Sequence, residues 1–160
     1  DNPLIFEHLY MASIDARRTA VVLAAMMKQC GMVARLIAHE PRVHYNMIQE
    51  ADFTSAVAAW RADYNDPHTF LYLLDSRSGV YNYAGYNNPV YDRLMDKAAT
   101  ILNVDERAKV LAEAEQIALD NVAVVPTSFP TSKLLVASYV KGFVPNAPLS
   151  HRNRWMWIER

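Results

Sequence analysis

Pro67 is the residue that most restricts what this chain can fold into. Residues 53–60 (F-T-S-A-V-A-A-W) form an apolar run of mostly small side chains and predict a buried strand. The polar turn Asp63-Tyr64-Asn65-Asp66 then leads into Pro67, and a helix-like run follows over residues 68–74. Proline disfavours helix before it and can open one at its own position, so residues 63–67 predict a strand-to-helix corner. An indole (Trp60), a guanidinium (Arg61) and a carboxylate (Asp63) fall within four residues at that corner.

The segment before it alternates. Residues 4–12 predict a strand, mostly apolar on both faces. Ser13 or Asp15 can cap a following helix, and Gly31 can end it in the left-handed conformation other residues resist. Within that helix, residues 20–27 are apolar all round, which predicts a helix beneath other layers. Residues 32–39 predict the next strand, and strand, helix and strand in that order imply a parallel pair. Residues 40–52, opened by Pro41, predict a polar helix or crossover. Residues 53–60 then return as a third strand, expected at a central position.

Beyond the corner, residues 75–88 predict a surface loop, with Tyr81, Tyr83 and Tyr86 pinning it to the body. Asn88-Pro89 starts a helix carrying Val90, Leu94, Ala98 and Ile101 at helical spacing. Asn103 and Glu106 resemble a capping box for a second helix with the stripe Val104, Ala108, Leu111, Ala114 and Ala118. Residues 122–127 and 133–140 predict strands linked across Phe129 and Pro130. Residues 141–152 predict an irregular excursion, and residues 154–158 a short terminal strand.

The chain has 160 residues, 52% apolar and 21% charged, enough for one domain burying ~70% of its unfolded surface. A net charge of −1 provides no basic footprint for nucleic acid. Cys30 is the single cysteine, so no intrachain disulfide forms and the redox compartment stays open. The longest unbroken apolar run, over residues 20–27, is far short of the ~20 residues of a membrane span. The chain opens on Asp1 rather than Met, which we read as not an intact primary product.

The chemistry at Asp63 has two readings. A carboxylate past the end of a buried strand, beside Trp60, can bind an ammonium group. Alternatively it is a turn residue that caps the following helix. Hydrolase motifs are missing: there is no G-x-S-x-G elbow, no H-E-x-x-H and no glycine-rich phosphate loop, although His68 lies two residues from Asp66. The five histidines (His8, His39, His44, His68, His151) lack metal-ligand spacing and read as surface or loop residues. No cofactor or metal is expected.

The segment W-R-A-D-Y-N-D-P-H-T-F-L over residues 60–71 resembles the W-x-A-D-Y-N-D/E-P-x-S/T-F-L segment of the periplasmic oligopeptide-binding proteins. These are the extracytoplasmic receptors of peptide-importing ABC transporters. The likeness continues through N-N-P-V-Y-D (87–92), R-A-K-V-L-A-E-A-E (107–115) and V-A-V-V-P (122–126). It implies the C-terminal portion of an α/β, type II periplasmic-binding-protein-like fold, incomplete relative to the bilobal whole. Residues 1–130 would belong to the ligand-gripping lobe, and residues 131–160 would cross the hinge and return to the other lobe.

By the same resemblance Asp63 holds the ligand's α-amino group. Ala59, Trp60 and Arg61 offer backbone groups to an extended peptide, with Tyr64 and Asn65 completing the site. The implied partners are a peptide and a membrane ABC permease, and the implied location is periplasmic or extracytoplasmic. Strands lacking neighbours would also make the chain self-associate. The segment departs from some relatives: residues 51–59 hold no basic residue to clamp a carboxylate, Pro41 replaces an aromatic after Glu40, and Ser128-Phe129-Pro130 replaces a tyrosine run. A receptor for a non-peptide solute, or a signalling module on the same lobe, is the alternative.

Overall fold

The computed structural model describes residues 2–129, 131, 133–146, 151 and 153–159. Strand β1 (Leu4–Met11), helix α1 (Ile14–Gln29) and strand β2 (Met32–His39) form the expected parallel unit, paired from Leu4↔Met32 to Met11↔His39. Local chemistry sets α1's limits. The Ser13 hydroxyl accepts from the Ala16 N–H at 3.2 Å, and Gly31 turns the chain at φ +77°. Helix α2 (Pro41–Gln49) then leads to β3 (Ser55–Ala56), and the sheet order is β2-β1-β3.

Three expectations about this half are corrected. The third strand is neither long nor central. β1 occupies the middle, with consecutive residues His8, Leu9 and Tyr10 all buried, while β3 is an edge strand of two residues. The register limits how far it could run. With Leu9 opposite Ala56, position 58 would face Met11, where β1 ends, so Ala59 and Trp60 have no partner on β1. Helix α1 is not buried beneath other layers: Ala20 is buried, but Val21 and Val22 are 50% and 58% exposed. One face of α1 meets the sheet, and no described residue covers its back. Finally, His8 and His44 are core residues rather than surface ones.

The second half builds its own core. Helix α3 (His68–Leu71) precedes the hairpin of α4 (Pro89–Thr100) and α5 (Val104–Asp120). Asn88 and Asn103 cap α4 and α5 by accepting backbone N–H groups of the first turn. Leu71, Tyr91, Leu94, Met95, Ala98, Val110, Leu111, Ala114 and Ala118 pack together between them. The Tyr91 hydroxyl donates to the Leu71 carbonyl at 2.5 Å, tying α4 to α3, and burial pushes this phenol's pKa well up. Val90, Val104 and Ala108 of the expected stripes face solvent instead.

Among the described residues, the strand expected over 122–127 forms no ladder, and that expected over 133–140 is paired only at its last residue, Val140. The chain there is open to solvent, with turns at Val122 and at 138–139 and with Phe129 and Leu135 fully exposed. Pairing resumes at β4 (Val140–Lys141), antiparallel to β5 (Trp157–Ile158), and Asn153–Trp155 is a 3₁₀ turn rather than part of a terminal strand. Pro130 and part of the 141–152 excursion lie outside the described residues. No described helix is long and apolar enough to cross a membrane.

Candidate functional site

The site forms where the chain leaves the sheet for the helical half. After β3 the Val57 N–H donates to the Leu9 carbonyl at 2.9 Å, the last sheet bond on this strand. Side chains of α2 then hold the segment: His44 Nε2 donates to the Val57 carbonyl at 2.7 Å, and the Tyr45 hydroxyl reaches the Ala59 carbonyl at 3.4 Å. The backbone N–H groups of Ala58, Ala59, Trp60 and Arg61 find no acceptor among the described residues.

The corner separates its two carboxylates. Asp66 takes the capping duty considered for Asp63: its oxygen accepts the His68 N–H at 2.8 Å, and Pro67 opens α3 in helical conformation. Arg107, in the first turn of α5, pairs with Asp66 and also donates to the Ala98 carbonyl at 3.1 Å. Burial pushes the Asp66 carboxyl up, but the His68 N–H and the Arg107 guanidinium outweigh it and hold it below the usual range. Asp63 is left exposed. The Asp63 N–H donates to the Thr69 hydroxyl at 3.1 Å, and that hydroxyl lies 3.5 Å from the Asp63 carboxylate.

An open hollow of about 410 Å³ lies against this corner, lined by Trp60, Asp63, Tyr64, His68, Thr69, Tyr72 and Tyr81. Trp60 meets Tyr81 edge to face, with ring centroids 5.7 Å apart. On the other side Tyr64 stacks on His68, and His68 on Tyr72. The Tyr64 hydroxyl and His68 Nδ1 are 2.7 Å apart. The tyrosine loop is pinned as expected, by Tyr81 on Trp60, Tyr83 on Tyr45 and Tyr86 on Tyr91.

Of the residues singled out from sequence, Trp60, Asp63 and Tyr64 share the hollow, whereas Ala59, Arg61 and Asn65 are exposed outside its lining. His68, Thr69, Tyr72 and Tyr81 were missed. The spacing of Tyr64, His68 and Tyr72 at every fourth position was the available signal for three rings on one face. His68 is not set up as a hydrolytic base: its side chain engages Tyr64, and Asp66 bonds its backbone N–H, not its ring. Among the described residues, no cluster of three or more His, Cys, Asp or Glu could hold a metal.

No protein-family model matches the chain. It is 32% identical over 148 residues, 91% of its length, to the periplasmic murein peptide-binding protein of Escherichia coli K12, and spans 27% of that protein. A solved structure of the Escherichia coli murein tripeptide binding protein superposes with a TM-score of 0.89 at 30% identity, over 99% of this chain and 31% of that one. The crystal structure of the Haemophilus influenzae oligopeptide-binding protein in complex with RPPGFSPFR gives a TM-score of 0.88 at 31% identity, over 99% of this chain and 32% of that one. The chain thus spans a little over a quarter of the curated relative's length.

Proposed function

We propose that this chain, which belongs to the family of periplasmic oligopeptide-binding proteins, carries the amine-gripping part of a peptide receptor. The family's members are binding proteins and not enzymes. In this reading Asp63 is the counter-charge for the ligand's free amino terminus. The observation that carries it is the contrast between two neighbouring acids. Asp66 is paired with Arg107, whereas Asp63 lines the hollow with, among the described residues, only a hydroxyl at 3.5 Å from its carboxylate. A charge-assisted bond to an ammonium is the stronger partner left to it.

The ligand's backbone would add to the free edge of the segment after β3, using alternate N–H groups of residues 58–61, those of Ala58 and Trp60 on the side away from the Val57–Leu9 bond. Main-chain pairing is indifferent to side chains, which suits a receptor for varied sequences. The receptor would work outside the cytoplasm and deliver peptide to a membrane ABC permease. Residues 1–130 would form part of the gripping lobe, and residues 131–160 the hinge crossing. The exposed Phe129, Leu135, Trp155 and Trp157 would lie against the rest of a family-length protein, and taken alone these 160 residues would self-associate.

Calorimetry on the intact protein tests the reading. Asp63→Ala should weaken free-amino peptides roughly ten- to hundredfold and leave N-acetylated peptides nearly unchanged. Equal losses for both ligand classes would remove the carboxylate from the site.

A further inference from the structure

We propose that the hollow also selects the side chain of the ligand's first residue, favouring a planar π group: an arginine guanidinium or an aromatic ring. The inference rests on the amine-gripping reading and deepens it. Two groups of aromatic rings line the open space next to Asp63. One is the column of Tyr64, His68 and Tyr72, with centroid separations of 6.3 and 6.1 Å and interplanar angles of 29° and 23°. The other is Trp60 braced edge-on by Tyr81 at 74°. All five rings line the same hollow.

The column is held as a unit, because the hydrogen bond between the Tyr64 hydroxyl and His68 Nδ1 ties its first two rings. It is also open to a ligand: Tyr64 and Tyr72 are 47% and 38% exposed. The outer faces of the end rings, Tyr64 and Tyr72, carry negative quadrupole potential, so a guanidinium lying on one is attracted and a further ring can stack offset. A branched aliphatic side chain would bury area there but gain no such term. A lysine ammonium brings the charge without the plane. The acid and the rings therefore divide the work: Asp63 fixes the α-amine, and the walls read the side chain beside it.

Calorimetry on the intact protein, with free-amino tripeptides differing only in their first residue, tests this. Arginine is compared with lysine, and phenylalanine with cyclohexylalanine, which keeps the ring's bulk but loses its π face. The planar member of each pair should bind roughly three- to tenfold tighter. Tyr72→Leu should erase most of the difference and Tyr72→Phe should keep it; thermal unfolding checks that both variants are folded. Equal binding within both pairs of the unmutated protein overturns the inference, as does a difference that survives in folded Tyr72→Leu. Failure of the two readings is distinguishable. If Asp63→Ala weakens all four peptides while the pairs stay equal, only the side-chain selection falls. If Asp63→Ala weakens none, the amine grip falls, and this inference with it.

Discussion

The two halves of this chain bury themselves by opposite means. The helical half closes on an apolar core, in which Tyr91, Leu111 and Ala114 are all but inaccessible. The sheet half has a thinner interior of Leu9, Tyr10, Ala20 and Ile48, and two imidazoles complete it. His8 Nδ1 is 2.8 Å from the Ser55 hydroxyl, and His44 holds Val57, so both histidines anchor the strand that leads to the hollow. The second ring nitrogen of each is buried without a partner among the described residues. Apolar burial makes the α3–α5 unit self-sufficient. The sheet unit depends on directional polar bonds and leaves the back of α1 uncovered. The hollow lies between them, with Trp60 supplied by the open half and the ring column by the closed one.

The largest expected effect separates the halves directly. Leu111→Ala in the helical core should cost about 3 kcal/mol, and Val22→Ala on the exposed side of α1 less than about 0.5 kcal/mol. Urea unfolding that gave similar costs would break the contrast. An intermediate effect sharpens it: Arg107→Met should cost about 1–2 kcal/mol by releasing Asp66 and the Ala98 carbonyl, read by the same titration.

The smallest effect concerns pH. Burial, reinforced by neighbouring His44, holds the His8 imidazole below its usual 6.5. The fold therefore keeps His8 neutral while the unfolded chain takes up a proton first. The stability this provides is present above 6.5 and is lost as pH falls through the lowered folded-state value. Thermal unfolding should show the sheet half weakening over that window, with a flatter profile in His8→Gln. An unchanged profile in His8→Gln would remove His8 as the cause.

Much of this was legible because helix signals are local. Ser13, Pro41, Asn88 and Asn103 mark helix starts through groups within three residues of themselves, and each start was found where expected. The parallel β1–β2 pair followed from element order alone. Strand partnership is different, because a ladder depends on a remote neighbour. That is why residues 53–60 shrank to two paired residues, and why residues 122–127 formed no ladder among the described residues. Burial of His8 and His44 was hidden for the same reason: it depends on what packs above them. At the site, Trp60, Asp63 and Tyr64 were legible as a motif. Thr69 and Tyr72 reach the hollow only through the winding of α3 and the turn after it, and Tyr81 only through the return of the loop.

Arg107 gives the molecule a mechanical linkage. A single guanidinium spans the end of α4, the beginning of α5 and the acid that accepts the first N–H of α3. A shift of the hairpin would therefore be felt at the turn from which His68 starts α3. Substitutions deep in the helix packing would thus reach the hollow through a residue that does not line it.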